Sequence, residues 1–159
     1  MPLAFSITES MSGSHHFVDS SLGDSVDRRL SLRIRWGGGV QSVFNPLSAR
    51  FLNYDTQGVI VVEGLSDGEI PCKGWLRADY FRDHKIVYKL DFDHNGKPYQ
   101  FTGEKTQVEL RRPLQLMKAH MTCHGVITDE RGRIVSKSVI HSDPGQVADL
   151  LKSLRLSLE

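Results

Sequence analysis

The chain has 159 residues, with 20 Lys and Arg against 19 Asp and Glu and a formal net charge of +1 with histidine neutral. That length sustains one hydrophobic core rather than two. The charge balance gives no global attraction for nucleic acid or an anionic membrane. A hydrophobic fraction of 39% excludes a disordered chain, and no apolar run reaches the roughly 18–20 residues of a membrane span. The first residues lack a basic segment followed by a long apolar one, so no secretory signal is read and a cytoplasmic location is expected.

In chain order, residues 1–14 are rich in serine and small residues and read as a loose N-terminal arm. From Arg28 to Trp36 the sequence alternates strictly, Leu30, Leu32, Ile34 and Trp36 on one face and Arg29, Ser31, Arg33 and Arg35 on the other. A period of two marks a half-buried strand. Gly37-Gly38-Gly39 is expected to end it, and Asn45-Pro46 marks a turn. Gly58 to Leu65 is a β-branched run and reads as a strand buried on both faces. Lys73 to Phe81 follows as another strand.

The clearest hairpin spans Ile86 to Lys105 around Asn95-Gly96, the preferred pair for a two-residue type I′ turn. That loop sets Phe92 opposite Tyr99, Leu90 opposite Phe101, Tyr88 opposite Gly103 and Ile86 opposite Lys105. One face is then almost wholly apolar, and a shifted register would mismatch it. Tyr88 is expected to cover the bare backbone of Gly103. A second hairpin, Lys118 to His141, turns at Asp129-Glu130-Arg131-Gly132. A four-residue loop sets His120 opposite His141. A type I turn with a glycine bulge separates them. Ser136 and Ser138 break the pattern, and both registers stay open.

At the C-terminus Asp143 is a good N-cap and Pro144 suits the first helical position. Val147, Leu150, Leu151, Leu154 and Leu158 form one apolar stripe. The expected organisation is the arm, a β domain over residues 15–142, and a helix over 143–159 packed on it. About nine short strands and one helix indicate a mainly β protein, an antiparallel up-and-down barrel of the lipocalin-like kind, with a β-sandwich as the alternative. Barrels of this size can hold one small ligand.

Few residues carry a chemical signature. Cys72 and Cys123 belong to no CxxC pair and read as buried free thiols. His120 and His124 stand about 13 Å apart on a strand and cannot share one ion through it. A zinc site would need His120, His141 and a third ligand, so no metal is expected. No GxGxxG, P-loop or GxSxG context is present, so no cofactor is expected. Of the adjacent His15 and His16, one at most faces inward. Lys105 falls on the apolar face of its hairpin, and Glu104 on the other.

Several phrases taken together carry a resemblance: Met11-Ser12-Gly13, His16-Phe17, Val61-x-Glu63-Gly64-Leu65, Pro71-Cys72-Lys73-Gly74, Asp79-Tyr80-Phe81 and Tyr99-x-Phe101-x-Gly103-Glu104-Lys105. Over residues 9–142 the chain resembles a bacterial β-barrel domain that accompanies cholesterol-oxidase-like flavoproteins of the glucose–methanol–choline type. The resemblance implies a lipid or steroid context and an oxidoreductase partner, and it supplies no mechanism. The chain departs from that pattern in a shorter loop after Trp36 and in Lys73, where the pattern often has an arginine.

Three functions follow. In the first, a non-catalytic barrel binds an apolar small molecule, fatty-acyl or sterol-like. Trp36, Tyr80, Tyr88, Phe92, Tyr99 and Phe101 form the walls, and Lys105 or His120 meets the polar end. In the second, Glu104 and His120 act as general acid and base in an isomerase or lyase. In the third, a solid-cored barrel is an interaction module, either a homodimer or an accessory subunit, and works through the arginine-bearing face or the C-terminal helix.

Overall fold

A computed structural model describes residues 3–18, 21–39, 42, 45–48, 51–79, 82–106, 108, 121–142 and 155–158. Nine strands run in chain order: β1 (Leu3–Phe17), β2 (Arg28–Gly39), β3 (Asn53–Val62), β4 (Ile70–Asp79), β5 (Lys85–His94), β6 (Lys97–Lys105), β7 (Thr122–Thr128), β8 (Ile134–Ser142) and β9 (Arg155–Leu158). Each of β2 to β7 pairs antiparallel with the next, and β1 lies between β8 and β2. Eight strands therefore close an up-and-down barrel, and no edge is left among them. The lipocalin-like barrel expected from the strand count is the observed fold.

The loose arm is not. Residues 3–14 belong to β1, which pairs with β2 from Ala4 to His15 and with β8 from Met11 to Phe17. Its inward residues Phe5, Ile7, Met11, His15 and Phe17 are buried at alternate positions. Glu9 and Gly13 stand in the same phase, and a charge and a glycine among the apolar residues hide the alternation. The C-terminal helix is also revised where it can be followed. Residues 143–154 lie outside the described residues. Arg155–Leu158, inside the expected helix, is instead a strand paired with Leu3–Ser6. Arg155-Leu156-Ser157-Leu158 alternates with period two. Beyond the end of β8, that stretch of β1 has backbone groups to offer, which a strand can satisfy.

The Gly37-Gly38-Gly39 run does not stop β2, which continues through Gly39. A Cβ on Gly37 would collide with the Phe5 carbonyl, so the bare backbone lets β1 and β2 stay paired there. The β-branched run in β3 is buried on one face only. Ile60 and Val62 point into the core, and Val59 and Val61 are half-buried on the outer wall.

The β5–β6 hairpin has the expected register throughout, from Ile86 opposite Lys105 to Phe92 opposite Tyr99. Tyr88 does face Gly103, but the atoms over that glycine belong to Phe101 and Cys123. The β7–β8 hairpin turns by the glycine-bulge route: Gly132 has φ +74° and its N–H donates to the Asp129 carbonyl at 3.0 Å. A second irregularity follows. Thr128 faces Ile134, yet Ile127 faces Ser136, so Val135 is an extra residue on β8. It flips the phase of the strand, and Ser136, Ser138, Ile140 and Ser142 then point inward. The serines that seemed to break the pattern are inward residues in the shifted phase.

The connections alternate between the two ends. Those over 40–52, 80–84, 106–121 and 143–154 leave from one end, here the Lys105 end. The opposite end carries the Asn95-Gly96 and Asp129–Arg133 turns. Among the described residues no helix is long and apolar enough to cross a membrane.

Candidate functional site

Most of the barrel interior is apolar and closely filled. Leu30, Ile60, Leu90, Phe101, Cys123 and Ile140 have no exposed surface and belong to one contiguous core. Against that background the Lys105 end carries a charged group. Lys105 is 1% exposed and Glu9 is 6% exposed, and the ammonium donates to Glu9 Oε1 in a short ion pair.

The pair crosses the lumen. Glu9 is on β1 and Lys105 on β6, strands that are not neighbours in the sheet. Two further donors meet the same carboxylate. Tyr88 Oη donates to Glu9 Oε2 at 3.0 Å and Oε1 at 3.2 Å, and Trp36 Nε1 makes a longer bond of 3.4 Å to Oε2. Lys105 Nζ also stands 5.5 Å from the centre of the Tyr88 ring, in cation–π range. Register explains the convergence. Tyr88 on β5 and Lys105 on β6 are inward diagonal neighbours, as are Trp36 on β2 and Glu9 on β1.

Aromatic rings flank this cluster. Phe5 meets Tyr54 edge-to-face at 5.4 Å and Trp36 at 6.2 Å, and Trp36 and Tyr54 lie 5.2 Å apart. Trp36 is only half-buried. Burial raises the pKa of the Tyr54 hydroxyl, so it stays neutral.

The structure divides the residues read as ligand walls. Trp36, Tyr88 and Lys105 gather at one end. Phe92 and Tyr99 stack at 5.5 Å near the Asn95-Gly96 turn, and Phe101 lies in the filled middle. Tyr80 and His120 lie outside the described residues. Glu104 faces outward, 43% exposed, with its carboxylate 3.7 Å from Lys85 Nζ. It does not share a site with Lys105. Glu9 was not read as a site residue. Its only signal is its place at an inward position of a strand disguised as an arm.

Both thiols are free and buried, and burial pushes Cys72 up to about 11 and Cys123 up to about 12. Neither is a nucleophile at neutral pH. His141 and His124 are exposed, and no group of three metal-binding side chains occurs among the described residues.

A second buried polar group lies nearer the other end. His15 Nε2 is 2.8 Å from the Glu63 carbonyl, and Nδ1 is 2.9 Å from Ser136 Oγ. A carbonyl only accepts, so Nε2 carries the hydrogen and Nδ1 accepts from the serine hydroxyl. The arrangement resembles a serine–histidine dyad, but Ser136 has no exposed surface and holds the imidazole against the Glu63 carbonyl inside the core. It is a structural clasp. Burial lowers the His15 pKa below 6.5, the Glu63 carbonyl works against that, and Arg28 adds to it. In the unfolded chain His15 takes up its proton first. The clasp is therefore fully stabilising above about pH 6.5 and weakens as pH falls through the folded pKa. Urea midpoints are expected to drop between pH 7.5 and 5, and His15→Gln should flatten that dependence. An unchanged slope in the variant would assign the effect to other groups.

On the outer wall of β1 to β5 two open grooves, of about 660 and 740 Å³, share Arg35, Gln57, Lys73 and Asp91. Arg33 lines the first but is also 3.5 Å from Glu69, and Arg35 donates to Ser6 Oγ at 2.6 Å.

These features define a closed antiparallel barrel with a cross-lumen ion pair. Comparison with protein families, curated proteins and solved structures yields no match.

Proposed function

We propose that this chain is a non-catalytic, lipocalin-like barrel that binds a small, largely apolar molecule at the Lys105 end of its lumen. The observation that supports this is the buried Glu9–Lys105 pair, joined by Tyr88 and Trp36. Burying two charges costs more than well-packed apolar residues would, so stability alone gives little reason for them. Small-molecule sites are mostly apolar with a few convergent polar groups, and Phe5, Trp36 and Tyr54 supply the apolar side. The middle of the barrel is filled, so this reading confines the ligand to the Lys105 end, where Trp36 is half-buried and its ring must move to admit one. A lipid or steroid oxidoreductase is the partner that the sequence resemblance suggests.

The test is native mass spectrometry of the purified protein, then organic extraction and challenge with sterols, fatty alcohols and fatty acids. A stoichiometric adduct with any of these is the expected result. A clean apo mass with no uptake would move the function to the outside of the barrel.

The close filling of the core favours a second reading, a solid-cored interaction module working through the arginine-bearing wall. It predicts no uptake, and a homodimer or heteromeric complex by equilibrium ultracentrifugation. Arg33→Ala/Arg35→Ala should weaken that assembly.

A further inference from the structure

We infer that the Glu9–Lys105 pair makes this end of the lumen selective for a ligand with an uncharged polar end, an alcohol or a ketone, and sets it against carboxylates and amines. The inference rests on the binding reading above and specifies the ligand class. It follows from charge balance in a dry site. The ammonium and the carboxylate already neutralise one another across the lumen. A carboxylate ligand would bring a second anion to one cation, and an amine a second cation to one anion. Either leaves a net buried charge, which a low-dielectric interior penalises heavily.

A neutral oxygen fits the hydrogen-bonding capacity that remains. An ammonium has three N–H groups, and among the described residues Lys105 Nζ donates to one acceptor, Glu9. A carboxylate accepts at about four sites, and each oxygen of Glu9 already has two donors in reach, Lys105 and Tyr88 at Oε1 and Tyr88 and Trp36 at Oε2, so the spare capacity is on the ammonium. A ligand hydroxyl or carbonyl oxygen can accept from Lys105, and a hydroxyl can donate to Glu9 by taking the place of the long Trp36 bond. Neither changes the net charge. Tyr88 donates its hydroxyl hydrogen to Glu9, and Cys123, also beside the pair, is a thiol that burial pushes up to about 12, so neither adds a charge to this balance.

The probes are 1-octanol, octanoate and octylamine, matched in chain length, titrated by calorimetry at pH 7.5 into the wild-type chain and into Glu9→Gln. Wild type is expected to bind 1-octanol at least about 100-fold more tightly than either charged probe. Glu9→Gln leaves the Lys105 charge unpaired and should reverse the order, with octanoate ahead. Wild type binding octanoate or octylamine as well as 1-octanol would overturn the selectivity while leaving the binding site standing. That comparison needs no variant, so it decides the matter even where Glu9→Gln fails to fold. A folded variant that keeps the wild-type order would also overturn the inference. Binding of none of the three probes by wild type would remove the site itself.

Discussion

Lys105→Met is expected to destabilise the protein by about 3–5 kcal/mol, because it leaves the Glu9 carboxylate buried without its counter-ion. The methionine fills a similar volume, so the loss reports charge rather than packing. Glu9→Leu should cost a comparable amount by stranding the ammonium. The double variant Glu9→Leu/Lys105→Met is expected to recover most of the loss, since neither charge remains to be desolvated. Urea denaturation of the four proteins gives the coupling energy directly. A single-variant cost under about 1 kcal/mol would place the pair among solvated ion pairs, against the 1% exposure of Lys105. Recovery in the double variant would also show that the pair is not required by the fold, which strengthens a functional reason for it.

Phe101→Ala is expected to cost about 3–5 kcal/mol, the range for deleting a fully buried aromatic ring. Phe101 has no exposed surface, and its ring lies against two bare stretches of backbone. A Cβ on Gly103 would stand 2.8 Å from Phe101 Cε1, and one on Gly125 would stand 2.5 Å from Phe101 Cε2 and 2.7 Å from Ser138 Oγ. The glycines make room for the ring, and the ring covers the glycines. Gly125→Ala should therefore destabilise the wild-type chain but cost less in a Phe101→Leu background. Thermal unfolding of the cycle checks this. Strict additivity would mean that ring and glycine do not share their space.

Much of the barrel could be read from residue order because its strands obey simple local rules. Asn95-Gly96 and the apolar face from Tyr88 to Phe92 fixed one register without ambiguity. The difficulties in β1 and β8 share a cause, which is that local pattern was interrupted by residues whose role is non-local. Glu9 and Gly13 sit at inward positions of β1, and only the partner across the lumen makes sense of Glu9. The extra residue Val135 inverts the phase of β8, and a single inserted position cannot be seen until its partner strand is known. Three of the four residues in the buried polar cluster were legible. Lys105, Tyr88 and Trp36 stood on apolar faces, whereas the carboxylate that joins them lay on a strand that looked like an arm.

The closing strand is the first of the barrel strands. β1 takes one neighbour from β2 and the other from β8, so during translation it must wait for every other barrel strand before its second edge is satisfied. Until β6 emerges, Glu9 has no ammonium to meet, and a nascent chain holds an unclosed sheet with an open edge at each side. Such species are slow to complete and prone to pair with one another. A charge at an inward position of the waiting strand counters that hazard, because an edge carrying an inward carboxylate is a poor template for a second chain.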